Sequence, residues 1–210
     1  MDYPYDLGRY SRKVTASSAQ TQRWVDRGLN WCFGFHHEEA VVCFEKALEC
    51  DPSCAMAQWG IAYAVGPNYN IPWELQDSAG KAASLARAFD ATRAALALCA
   101  GASAPERALI EALPARYPQR EPIEDQQPWN DAFADAMRRA HRAHPDDLDL
   151  RAVFVEALLN RTPWRMWDVR TGQPAAGAGT LEAREVLESA FREHPGALAH
   201  PGLLHLYVHL

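Results

Sequence analysis

Residues 21–54 read TQRWVDRGLNWCFGFHHEEAVVCFEKALECDPSC, and this run of 34 residues decides the fold class. Within it Trp24, Gly28, Trp31, Ala40, Phe44, Ala47 and Pro52 fall at spacings that suit two helices folded against one another, with His36, His37 and Glu38 at the tight turn between them. Gly28 in the first helix and Ala40 early in the second are small enough to let the two backbones approach, while the aromatic rings fill the groove that remains. Pro52 stops the second helix and pushes Asp51 before it out of the helical region.

The closing half of this unit recurs twice. Counting back from Pro145 gives Ala140, Met137 and Phe133, and counting back from Pro195 gives Ala190, Leu187 and Ala183. A helix over Asp147 to Asn160 follows the first recurrence, as the opening helix of a further unit would. Ser103 with Glu106 forms a capping box, with Pro105 in the first turn, and predicts a short helix ending at about Leu113. Thr180 with Glu182 opens another, ending near His194. Gly80 to Ala100 reads as a long helix that pairs with Met56 to Val65. Alanine and leucine recur, β-branched residues are sparse, and most of the 14 prolines lie between apolar-periodic stretches. The expectation is therefore an all-α chain of antiparallel, stacked helix pairs.

The spacing of residues 21–54 resembles the tetratricopeptide (TPR) pattern, which has Trp, Gly, an aromatic, Ala, Phe, Ala and Pro at these positions; Arg27 departs, standing where Leu is usual. The combination of FHHEEA (35–40), CAMAQWG (54–60), GPNYN (66–70) and HPGLLH (200–205) is similar to larger bacterial TPR proteins of undefined activity. That resemblance implies a TPR-like α-solenoid over residues 1–210, forming one domain at the N-terminal end of a longer protein. The apolar helix in which Leu210 falls carries no polar capping repeat, which adds to that expectation. Two insertions, 66–78 with Tyr69, Pro72 and Trp73, and 161–179 with Trp164, Met166 and Trp167, interrupt the array. Inserted loops gather on one face of such arrays and carry specificity.

A net charge of -6 and a pI near 5.7 argue against nucleic acid and anionic membrane as partners, since either needs a basic stripe. The basic run Arg138, Arg139, His141 and Arg142 is followed at once by Asp146 and Asp147, and suits the negative end of a helix dipole. Cys54 to Trp73, the longest uncharged stretch, is broken by Gln58, Gly66, Pro67, Asn68, Asn70 and Pro72, a poor membrane span. Met1 to Val14 lacks a secretory signal. The five cysteines follow no zinc-ribbon spacing and read as free thiols of a cytoplasmic protein.

Two functions from different classes follow. TPR-like proteins present a concave groove of first-helix residues to a peptide or protein partner, and here that groove would draw on Trp24, Arg27, Asn30, Trp31, Gln58 and Tyr63, with Arg27 and Asn30 holding a carboxylate or backbone. The alternative is a metal-binding protein or metal-dependent enzyme. His205 and His209 lie four apart on one helix face, His200 caps that helix ahead of Pro201, and the helix is apolar all round and so expected to be buried. With His36, His37 and Glu38 as further donors, these histidines suit zinc, iron or copper. No nucleophile elbow, phosphate loop, HExxH or paired CxxC supports another class.

Overall fold

The computed structural model describes residues 3–210, and among these residues nine α-helices carry the fold. They are α1 (Ala19–Phe33), α2 (His37–Cys50), α3 (Ala55–Val65), α4 (Ser78–Leu98), α5 (Ala104–Arg116), α6 (Gln127–Ala143), α7 (Leu148–Leu159), α8 (Thr180–Glu193) and α9 (Pro201–His209). The strand content is one antiparallel pair of two-residue strands, β1 (Trp167–Asp168) and β2 (Gln173–Pro174), inside the second insertion. The chain is all-α. No helix is long and apolar enough to cross a membrane among the described residues.

The helix starts follow side-chain chemistry. Ser18 accepts from the Thr21 amide, Asp77 from the amides of Ala79 and Gly80, and Asp147 from that of Leu150, each satisfying a donor the first turn leaves free. Ser103 and Glu106 form the expected reciprocal box at α5. One boundary differs from expectation. Helix α5 continues past Leu113 to Arg116, with Pro114 in its last turn. Helix α8 opens at Thr180 as expected, with Gly179 at the cap position, and the Thr180 hydroxyl donates to the Met166 carbonyl, 2.5 Å away, which ties down the second insertion.

Phe44 is the central packing element of the first three helices. Its ring is fully buried, with Gly28 of α1 on one side and Gly60 of α3 on the other. A methyl carbon at either glycine would lie 2.6 or 2.4 Å from the ring, so both backbones approach as closely as the aromatic allows. Ala40 and Ala47 are fully buried beside it. Each of α1 to α4 packs on the next, as does each of α5 to α8, and α3 also meets α5.

Contacts between α1 and α9 join the beginning of the helical order to its end, where a strictly linear array touches only neighbours. Phe33 seats against Gly202 of α9 closely enough that a methyl there would lie 2.5 Å from its ring. The segment ahead of α1 adds ties to α7 and α5. Arg12 reaches Asp147 and Asp149 at 2.7 and 2.8 Å, Tyr10 donates to Asp149, and Thr15 donates twice to Glu106 of α5 at 2.6 and 2.7 Å. Burial alone would raise the Asp149 carboxyl, but hydrogen bonding from His200 and the nearby Arg12 charge hold it at about 2.

One expectation is overturned. Helix α9 is not buried on every side: Leu203 and Leu206 face the core, while Leu204 and Tyr207 are exposed and Val208 is 83% exposed. The helix packs on α1, α7 and α8; on its outer side Leu204 and Val208 stay uncovered, while Tyr207 leans on Phe191 of α8 at 5.3 Å and donates to Glu188 at 3.3 Å.

Candidate functional site

Three segments far apart in sequence converge at the turn between α1 and α2. Phe35 takes a left-handed backbone (φ 58°), and its ring, partly buried against the core, is a hub. His209 stacks on that ring (centroids 5.3 Å, planes 8° apart), His205 tilts against it at 4.3 Å, and His37 lies 5.7 Å away. Tyr69, from the first insertion, packs on His209 at 4.8 Å. Arg116 holds the insertion in place: its Nη2 donates to the Pro67 carbonyl at 2.5 Å from a fully buried position beside the rings of Tyr63, Tyr117 and Phe133. Burial lowers its pKa, and its Nη1 has no partner among the described residues.

Hydrogen bonding fixes the state of each histidine. Asn68 accepts backbone N–H bonds from Asn70 and Ile71 on Oδ1, so its Nδ2 is the donor to His37 Nδ1 at 3.2 Å. His37 is therefore the tautomer with its proton on Nε2, and burial followed by the Arg116 charge pushes its pKa down to about 4. His200 Nδ1 accepts from the Leu203 amide, which leaves Nε2–H to donate to Asp149 at 3.4 Å. Both nitrogens of His200 are thus committed, on the Tyr10 and Phe33 side of α9. His36 caps α2 by accepting from the Glu39 amide and leans on Trp31. Glu38 is exposed in the first turn of α2.

His205 and His209 remain. A carbonyl only accepts, so His205 Nδ1–H donates to Phe33 O at 2.5 Å and its Nε2 presents a lone pair. His209 Nε2 lies 3.0 Å from that atom. Among the described residues no three His, Cys, Asp or Glu side chains are disposed to hold one metal ion. The structure thus pairs His205 with His209, sets His37 across the Phe35 ring, and leaves His36 exposed beside Trp31 and His200 buried beside Asp149.

The first-helix groove residues do not form one open surface. Trp24 and Trp31 are covered by the segment ahead of α1: Tyr3 packs edge-on to Trp24 at 5.5 Å, Tyr5 edge-on to Trp31 at 5.4 Å, and the Trp31 indole donates to the Tyr3 hydroxyl at 2.6 Å. The Arg27 guanidinium lies over Tyr3, 4.1 Å from its centroid. Asn30 donates to the Asp26 carbonyl on its own helix. Gln58 is half-buried, and Tyr63 is buried, stacked on Trp59 at 4.9 Å.

The open concavity lies instead between α2, α4 and the first insertion. It encloses about 900 Å³, with Val41, Val42 and Glu45 on one wall and Ile71, Leu75, Asp77 and Arg87 on the other. Val42, Ile71 and Leu75 are 44, 53 and 59% exposed. Of the four charged side chains Glu38, Glu45, Asp77 and Arg87, only Arg87 is cationic, and it is paired with Glu45 at 2.5 Å. No family model, curated protein or solved structure matches this chain. Function must therefore be argued from these surfaces.

The insertion aromatics divide between packing and exposure. Trp73 is buried edge-on to Trp129 (6.5 Å), Met166 is buried, Trp167 donates to the Leu210 carbonyl at 2.5 Å, and Trp164 is exposed. Sequence reasoning gave Phe35 no role beyond its place in FHHEEA, and missed Arg116, which reads as an ordinary cation in the last turn of α5. It also missed Glu156 on α7, a fully buried carboxyl that desolvation pushes up to about 8.

Proposed function

We propose that this protein is a binding scaffold of TPR-like stacked helix pairs that accepts a segment of a partner protein in the groove between α2 and α4. The observation that carries the reading is the convergence of Val42, Ile71 and Leu75, exposed on an open groove whose remaining charge is acidic. Isolated exposed apolar residues are ordinary, but three around one concavity offer apolar area that a partner can bury, at about 25 cal/mol per Å². Glu38 and Asp77 would meet Lys or Arg flanking the partner's apolar anchors and orient them. The partner is thus a peptide segment with two or three apolar side chains and basic flanks. Nothing in the groove recognises a nucleic-acid backbone.

The first insertion supplies one wall, which fits the expectation that inserted loops carry specificity. Rigidity comes from behind that wall, where Arg116 holds Pro67 and Tyr117 donates to the Ala62 carbonyl at 2.9 Å. All five cysteines are free thiols, in keeping with a cytoplasmic setting. Panning a random peptide display library on the whole chain tests the reading, with Val42→Glu and Leu75→Glu as counter-selection. Enrichment of basic-apolar peptides that both variants lose is the expected outcome. Peptides captured equally by wild type and variants would show that this groove is not the binding surface.

A further inference from the structure

The geometry points to a copper(II) or nickel(II) site at Nε2 of His205 and Nε2 of His209, with water or an exogenous ligand completing the coordination. The two nitrogens are 3.0 Å apart. A metal about 2.1 Å from each would subtend an angle of about 90°, the separation of neighbouring ligands in tetragonal coordination, whereas a tetrahedral ion wants them farther apart. Copper(II) and nickel(II) take such geometry with imidazole donors, and copper heads the affinity order for nitrogen sites.

The surroundings are those of a ligating pair. His205 donates Nδ1–H to the Phe33 carbonyl, the outer bond that orients a metal-bound imidazole and leaves the opposite nitrogen free. In the metal-free pair His209 Nε2–H donates to His205 Nε2. Coordination requires that proton to move to His209 Nδ1, which has no hydrogen-bond partner among the described residues, so His209 changes tautomer and no proton is lost from a neutral pair. Phe35 and Tyr69 wall the imidazoles on the protein side. Both histidines remain partly exposed, which gives an ion a path in and leaves coordination positions open. His37 and His200 stand outside the set, because Asn68 and the Leu203 amide already occupy their Nδ1 atoms.

The test is titration of the untagged chain with copper(II), nickel(II) and zinc(II) salts, followed by calorimetry and, for copper, electron paramagnetic resonance. One copper per chain, bound more tightly than zinc and showing hyperfine coupling to two equatorial imidazole nitrogens, is expected. His205→Gln and His209→Gln should each weaken copper by at least about tenfold, since loss of even an outer-shell partner costs that much. His36→Ala should leave affinity and spectrum unchanged. Circular dichroism establishes that each variant keeps its helices; should His205→Gln unfold, His209→Gln, in the last turn of α9, carries the test. Copper spectra identical in wild type and both variants, or no binding at millimolar metal, would overturn the assignment. Peptide capture by the α2–α4 groove is read separately and does not depend on this outcome.

Discussion

Gly60→Ala puts the packing of Phe44 to a test in which two effects compete in sign. Alanine is the better helix former by about 0.8–1.0 kcal/mol, so on propensity alone the change on α3 should stabilise. The added carbon, however, would lie 2.4 Å from two atoms of the Phe44 ring, which cannot retreat because Gly28 confines its other face just as closely. Overpacking of this kind costs about 1–3 kcal/mol. The net expectation is a loss of up to about 2 kcal/mol, or a fall of up to about 8 °C in Tm for a chain of this size. Scanning calorimetry measures it, with Gly101→Ala, which meets no atom within 4 Å, as the neutral control. Combining Gly60→Ala with Phe44→Leu should cost less than the sum of the separate changes, because the smaller side chain vacates the clash. A Tm raised by Gly60→Ala would refute the seating of Phe44 between the two glycines.

Further outcomes follow from buried charge. Glu156 has its folded pKa raised to about 8, so the native state holds a proton that the unfolded chain releases from about pH 4.5 upward, and stability falls as pH rises toward 8. His37, with its pKa lowered to about 4, acts oppositely below pH 6.5, which leaves pH 6.5–8 as the clean window. Across it the gain of Glu156→Gln over wild type should grow by about 1.5–2 kcal/mol in urea unfolding; a constant difference would place Glu156 in contact with water. Asp149, held at about 2, contributes stability present above pH 3.8 and lost as pH falls through 2. Asp149→Asn should cost about 3 kcal/mol at pH 7 by stripping Arg12 of one of its two carboxylates, and should flatten the acid limb between pH 4 and 2. An acid limb as steep as that of wild type would contradict the assignment.

Helix class and helix starts were legible because they depend on local chemistry. Asp147, the box of Ser103 with Glu106, and His200 ahead of Pro201 cap the helices the sequence predicts, and residues 21–54 fold as two packed helices around Phe44. The spacing of His205 and His209 likewise put them on one face. What stayed hidden depends on contacts distant in sequence. Trp24, Arg27 and Trp31 look like groove residues until Tyr3 and Tyr5, from a segment without periodicity, are laid over them. An all-apolar α9 reads as buried, yet burial depends on how many neighbours the fold supplies, and here they leave Leu204, Tyr207 and Val208 exposed. The tautomers of His37 and His200 rest on Asn68 and a backbone amide, and no spacing rule encodes these.

Amide hydrogen exchange of the whole chain with and without a peptide selected on the wild-type groove tests the binding claim most directly. Slowed exchange confined to Val41–Glu45, Ile71–Asp77 and the facing turns of α4, and absent in Val42→Glu, is the predicted result. Slowing centred on Trp24–Trp31, or on the exposed face of α9, with α2 and α4 unchanged, would contradict it.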